Sequence, residues 1–320
     1  MSAERDLYLV DRHTVGRDRL REQLLALVER YLRSLSNDDF YGDAAPLVAE
    51  SLAASVRAAQ QATADLTWAY LDAALQESGE RPSPGRMRLA DHPRGVDPAR
   101  VWDRPLKAYR LAIASGETAE YALAQAVERA VSIAEDDLTL AVRQAAAQHS
   151  VKTPWVTGQR RVIHPELSAG GTCGLCIAAS DRIYRPGKLL PVHDRCKCTV
   201  AEVTKSVDPG NSLNNLSLGD LYEAAGSTAA ADLKATRWKV TEHGELGPVL
   251  SPRGADVRTP AEVAKDTGTR MDPREMARRQ AVAVERAIAR LEERAARGED
   301  VAMALKHERR LLERLRKRAA

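Results

Sequence analysis

The chain has 320 residues, enough to bury a core without crosslinks, and its 44% hydrophobic and 29% charged residues exclude a disordered or disulfide-scaffold protein. Aromatics make up only 4%, with Phe40 the single phenylalanine; alanine, leucine and arginine dominate, a mixture that favours long helices, and no apolar run of 18 residues provides a membrane span. The net charge of +3 is unevenly placed: residues 1–150 carry 18 Lys+Arg against 23 Asp+Glu and residues 151–320 carry 30 against 22, so the second half faces something anionic, either nucleic acid or an acidic protein surface.

The opening segment, MSAERDLYLVDRHTVGRDRL, has charges where a signal peptide needs its apolar region, which predicts a cytosolic protein without disulfides. From Asp18 to Leu35, Leu20, Leu24, Leu27, Val28 and Tyr31 recur at helical spacing, and SNDD at 36–39 ends that helix. A second helix over 43–77 carries a stripe of small and medium residues, Leu52, Val56, Ala59, Ala62, Leu66, Tyr70 and Ala73, suited to close packing in a bundle. Residues 78–98 hold four prolines and three glycines and read as an irregular connection. Its end places Asp97 as N-cap and Pro98 at the first helical position. Helices follow over 98–114, with a break or bend near Pro105, and over 118–148. Residues 1–150 are thus a helical module.

The character changes at KTPWVTGQRRVIHPEL, where the helical period vanishes and short extended runs, RRVIH, DRIY and KCTVAEV, take over. This is a small α+β module over 151–205. Residues 206–269 read as a mixed region of two short helices and a hairpin turning at His243-Gly244. From Asp272 onward Ala277, Ala281, Val284, Ile288, Leu291 and Ala295 form a heptad seam. RGED at 297–300 interrupts it, and Val301, Leu305, Leu312 and Leu315 resume on a second helix. Residues 270–320 are a basic helical hairpin or coiled coil, with 15 Lys+Arg against 9 Asp+Glu. The fold class expected is mainly α, with a zinc-stapled α+β module between two helical regions.

All four cysteines fall in one stretch, as Cys173-x2-Cys176-x16-His193-x2-Cys196-x-Cys198. A Cys-x2-Cys turn aims two thiolates at one ion roughly 2.3 Å away, and a second pair from a distant loop closes a tetrahedron. If RCKCTV is extended, Cys196 and Cys198 share a face, because side chains repeat with period two. Five candidate ligands compete for four places: Cys173, Cys176 and Cys196 belong to any zinc site here, and His193 and Cys198 contend for the fourth. Two disulfides or unligated thiols are the alternatives. A closed, cysteine-rich set fits a structural Zn2+ that supplies folding energy rather than chemistry. Arg182, Arg185, Lys188, Arg195 and Lys197 crowd the cluster, either to approach phosphate or to offset thiolate charge.

The stretch GTCGLCIAASDRIYRPGKLLPVHDRCKC resembles the signature of the phage Mu F-like head morphogenesis family, the minor capsid proteins of tailed phages. The preceding WVTGQRRVIHPELSAGG, with Arg161, His164, Pro165 and Glu166, resembles versions from phages of actinobacteria. The resemblance covers about residues 150–205, and Asp194 stands where the family more often has proline. It implies a protein encoded beside the portal, present in few copies inside the head, acting in procapsid assembly with the portal, scaffold or major capsid protein. The virion interior, and the host cytoplasm during assembly, would be its locations. The basic C-terminal half would suit DNA, and no membrane partner is implied.

Versions of this pattern are sometimes labelled capsid maturation proteases, so a hydrolase is the principal rival. Ser168, Ser180, His164 and His193 are the residues near enough in sequence to serve it, but no Gly-x-Ser-x-Gly and no His-Glu-x-x-His occurs. A zinc-braced nuclease using His164 and Asp181, and a generic DNA-binding zinc module, are further alternatives. No catalytic residue is assigned.

Overall fold

The computed structural model describes residues 3–91, 94–164, 179–180, 182–189, 198–209, 213, 238–243, 247–252 and 272–319. Among these the protein is mainly helical. The helices are α1 (Ala3–Ser34), α2 (Ala44–Glu77), α3 (Pro98–Ala114), α4 (Ala119–Lys152), α5 (Pro273–Ala296) and α6 (Ala302–Ala319), with a 3-10 turn at Asn37–Phe40. Two antiparallel pairs of strands accompany them, β1 (Val156–Val162) with β2 (Thr199–Thr204), and β3 (Trp238–His243) with β4 (Gly247–Pro252). Among the described residues no helix is long and apolar enough to cross a membrane.

The chain divides into two compact units. The first comprises Met1–Gln23, Arg57–Pro93 and Glu135–Thr259, and the second Leu24–Val56, Arg94–Ala134 and Pro260–Ala320. α1, α2 and α4 each contribute one part to either unit.

α1 begins at Ala3, well before the expected start at Asp18. The face it buries there includes His13 and Thr14 beside Val10, and polar residues at buried positions hide the apolar period. The same effect displaces the stripe predicted on α2. Its buried line runs through Gln60, Thr63 and Thr67 rather than Ala59, Ala62 and Leu66. The Gln60 amide donates to Asp137 O at 3.3 Å, and the Thr67 hydroxyl donates to Thr63 O at 2.8 Å, which makes burial of Gln60 and Thr67 tolerable.

Asp97 caps α3 as expected, its carboxylate accepting from Ala99 N at 2.9 Å. Of the break or bend expected near Pro105, the break is absent, since the helix is continuous through that residue. A proline inside a helix costs about 3 kcal/mol. Around it Val101, Trp102, Leu106 and Tyr109 are almost fully buried, each contributing roughly 1.5–3 kcal/mol, so the packed face outweighs the lost hydrogen bond.

In the first unit, β1 and β2 pair from Val156↔Thr204 to Val162↔Thr199, with an irregularity between Val156 and Gly158. Every residue of β2, and all of β1 but Thr157, is buried, so this small sheet is covered on both faces. Gln159 exchanges both backbone hydrogen bonds with Tyr184 at 2.8 Å, which adds a third extended piece. The approach demands Gly158: a Cβ there would overlap the Ile183 side chain and meet Tyr184 O at 3.1 Å. Small residues, Ala64, Ala141 and Ala145, close the helices on Leu89. The expected hairpin is present as β3–β4, whose pairing ends at His243↔Gly247; its turn and the two short helices expected before it lie outside the described residues.

In the second unit, the Phe40 ring stacks on Tyr109 with centroids 3.9 Å apart, and Tyr41 meets Tyr109 edge-on. α5 and α6 form the expected hairpin, turning at Gly298 in the left-handed region (φ +84°). Its buried line on α5 is Ala277, Ala281, Val284, Ala287, Leu291 and Arg294, with Ile288 only partly buried and Ala295 exposed. Contact with α3 draws the buried line to Arg294 late in the helix. Arg294 is buried because its guanidinium donates to Ile113 O at 3.2 Å and Glu117 O at 3.1 Å, while Arg290 donates to Ala114 O at 2.9 Å. These arginines satisfy the last carbonyls of α3.

Two alanine substitutions on α5 should separate buried from exposed positions. Leu291→Ala, at a site with no exposure, should lower unfolding free energy by about 2–5 kcal/mol. Val282→Ala, half exposed, should change it by less than about 0.5 kcal/mol. Urea unfolding of both variants checks this; equal losses would mean the hairpin is not packed as described.

Candidate functional site

The doubly covered sheet of the first unit carries more polar groups than an apolar core requires. Arg160, Arg161, Gln159, Thr199 and Glu202 all point from β1 or β2 into buried surroundings. Isolated buried charge is costly, so each needs a partner. Arg160 has Asp208, with Nε 2.7 Å from Oδ1 and Nη2 2.7 Å from Oδ2. The Gln159 amide donates to Ala146 O at 2.9 Å on α4.

Glu202 meets His149, a fully buried residue near the end of α4. The His149 ring lies between two carboxylates, Nδ1 2.9 Å from Glu202 and Nε2 3.0 Å from Asp72 Oδ1 on α2. Trp68 packs edge-on at 4.7 Å, with the Lys152 ammonium over the indole. Burial alone pushes the imidazole pKa down, but the hydrogen bonds and charges of Glu202 and Asp72 outweigh it and raise it above the ordinary value. Burial also raises the Glu202 carboxyl, against the opposing pull of His149. Both shifts make the pair hold its proton more tightly, and the His149 ring joins α4, α2 and β2.

A second histidine behaves in the opposite way. Burial, with Arg17 and His164 nearby, pushes His13 well below its ordinary pKa, so it is neutral. Thr67 commits its hydrogen to Thr63 O, so His13 Nε2–H donates to Thr67 Oγ1 at 3.1 Å. Nδ1 is therefore a lone-pair acceptor, with no hydrogen-bond partner among the described residues. The ring also stacks on Tyr70 at 4.5 Å.

The start of β2 is held from three elements. His164 Nε2 lies 2.8 Å from Thr199 Oγ1, Arg17 Nη1 approaches the same hydroxyl at 3.5 Å, and Arg143 Nη2 donates to Cys198 O at 3.2 Å. Cys198 is buried, as are Arg143 and Arg161. Of the metal candidates, Cys173, Cys176, His193 and Cys196 lie outside the described residues, as do Ser168 and Asp181; only Cys198 is described. Among the described residues no group of three or more His, Cys, Asp or Glu side chains is arranged to hold a metal ion. His164, the residue weighed as a hydrolase base, is engaged with a buried threonine.

His149, His13 and their partners escape a motif search. Their only sequence signal is a polar residue at a buried helical position amid alanines, as in AAAQHS, and their partners lie far along the chain. No protein-family model, characterised protein or solved structure matches this chain.

The raised His149 fixes the sign of a pH effect. A group whose folded pKa exceeds its unfolded value, here 6.5, stabilises fully below that value and loses the contribution as pH rises through the folded pKa. The raised Glu202 acts in the same sense. Stability should therefore fall as the pH rises above 6.5 through the folded pKa of His149. His149→Leu, which leaves Glu202 buried without its partner, should cost about 3–5 kcal/mol near neutral pH, and His149→Leu with Glu202→Leu should recover part of it. Urea midpoints across that range measure this; a slope unchanged in the double variant would exclude the pair as its source.

Proposed function

We propose that this chain is a minor capsid protein of a tailed phage, acting in head morphogenesis near the portal, with one structural Zn2+ in the 151–205 module. The observation that carries the reading is the order of five ligand-type residues, Cys173, Cys176, His193, Cys196 and Cys198, spaced as in the Mu F-like family. Its thiolate-rich donor set suits zinc, and the one described member, Cys198, is buried beside a sheet, where a bound ion would crosslink the chain. Cys173, Cys176 and Cys196 would hold the metal, with His193 or Cys198 as fourth ligand.

The chain's own residues do the positioning. Arg143 holds the Cys198 carbonyl, and His164 and Arg17 hold the adjoining Thr199, so the ligand-bearing segment leads into a sheet packed against α4. In this reading the module is a rigid attachment on a helical body, and its partners are the portal, scaffold or major capsid protein. The chain would be located inside the head.

Metal analysis of the purified full chain should give one zinc per chain. Cys173→Ser, Cys176→Ser and Cys196→Ser should each release it, and separate His193→Ala and Cys198→Ser variants identify the fourth ligand by which loss frees the metal. Chelation should increase amide exchange in 165–197 and leave α1–α4 protected. In the phage that carries the gene, its deletion should yield defective procapsids, and the chain should be found in few copies in mature heads. Normal heads without it would overturn the assembly role; cleavage of capsid or scaffold protein abolished by His164→Ala, with zinc retained, would favour the protease instead.

A further inference from the structure

The second unit has a groove of about 640 Å3 lined by the first turns of α2 and α3 on one side and by α6 on the other. On the α6 wall Arg310, Arg314 and Lys317 stand at i, i+4 and i+7, one face of a helix. A second hollow along α6 adds Lys306 and Arg309 and shares Arg310 and Glu313. Four cations at spacings of 4, 4 and 3 thus form a ladder of about 16 Å at 1.5 Å per residue.

Arg309 pairs with Glu292 at 2.8 Å and Arg316 with Glu285 at 2.9 Å, both across to α5. On the groove side only Lys317 has an acid, Glu313 at 2.7 Å, while Lys306, Arg310 and Arg314 are exposed and make no ion pair among the described residues. Arg100 on α3 adds a further exposed guanidinium to the groove. Asp103 is held by Arg110 and Lys107, which leaves Asp43 and Glu50, on the α2 side, as the acids not engaged. Half-buried His307 borders the groove; burial lowers its pKa first, and Arg110 and Arg314 lower it further, which marks a positive field at that wall.

The geometry points to the α6 ladder, Lys306, Arg310, Arg314 and Lys317 with Arg100 opposite, as a surface that tracks the phosphodiester backbone of DNA. Protein interfaces concentrate aromatic and apolar anchors and deplete charge at their centres. This ladder has no such anchor, and a uniform row of cations, three of five guanidinium, matches a uniform row of phosphates. The assignment names a partner for the function proposed above and rests on it only for the choice of DNA. It does not involve the zinc module, so zinc content measured on the same samples separates failure of one from failure of the other.

The test is fluorescence anisotropy of the full chain with a labelled duplex of random sequence over a salt series. Affinity should fall linearly in log–log with salt, and Arg310→Gln with Arg314→Gln should weaken binding and reduce the slope by about 0.9 for each contact removed. Arg279→Gln with Arg316→Gln removes the same charge from acid-paired arginines that line neither hollow and should leave the slope unchanged, whereas Asp43→Asn with Glu50→Gln should tighten binding. DNA should also raise the His307 pKa seen by NMR. Absence of salt-dependent binding at low salt, equal losses in the two arginine pairs, or tighter binding of poly-glutamate than of DNA would each overturn the assignment.

Discussion

The ring of His149 ties together three segments that are remote in sequence. Without it, Glu202 would place a carboxylate in the middle of a strand buried on both faces, and an unpaired buried charge is among the most destabilising features a core can contain. With it, β2 is pinned to α4, and through Asp72 to α2. The register of β1 follows, since each residue from Gly158 to Val162 is fixed opposite a residue of β2. Arg143 and His164 then add hydrogen bonds at the strand's first residues, where the cysteine-bearing stretch ends. The polar core is thus the means by which a small sheet is oriented on a helical body, and apolar burial around Leu71, Val162 and Val200 supplies the bulk of the cohesion.

The second unit reaches the same end with a different chemistry. Arg290 and Arg294 of α5 satisfy the carbonyls closing α3, so the hairpin is fixed by main-chain acceptors that a sequence does not advertise. Arg294 also pairs with Glu299 at 2.7 Å, joining the hairpin turn to the same contact. α5 faces α3 with some of its arginines and α6 with its glutamates, and on α6 Arg310 and Arg314 make no ion pair among the described residues.

Residues with strong local signals are legible in sequence. Asp97-Pro98 marks a helix start through capping, and the α5–α6 hairpin follows from a sustained apolar period. The alternation near RRVIH and KCTVAEV indicates β1 and β2, but pairing between them is a long-range fact that period alone does not carry. The first half of α1 and the middle of α2 depart from expectation for one shared reason. His13, Thr14, Gln60, Thr63 and Thr67 occupy buried positions with polar side chains, and most of those groups find partners on another turn or helix. An apolar-period search therefore fails where the core is polar. His149 is invisible for the same cause, since nothing near it in sequence reveals Glu202 or Asp72.

The placement of the cysteine segment adds a constraint that neither motif nor period contains. Val162 and Thr199 are cross-strand neighbours, so the chain leaves the sheet and returns to it at one rung of the ladder. Everything from Ile163 to Cys198 is thereby a closed excursion, and its closure entropy rises by only about 0.6 kcal/mol for each doubling of length. That modest cost is met by the ladder and by His164 and Arg143, so the excursion's ends are fixed by the body of the protein itself. A metal within it would have no part in joining those ends. Its effect would be to order what lies between them, a stretch that includes Tyr184, paired with Gln159 of β1, and Leu189, packed in the same core.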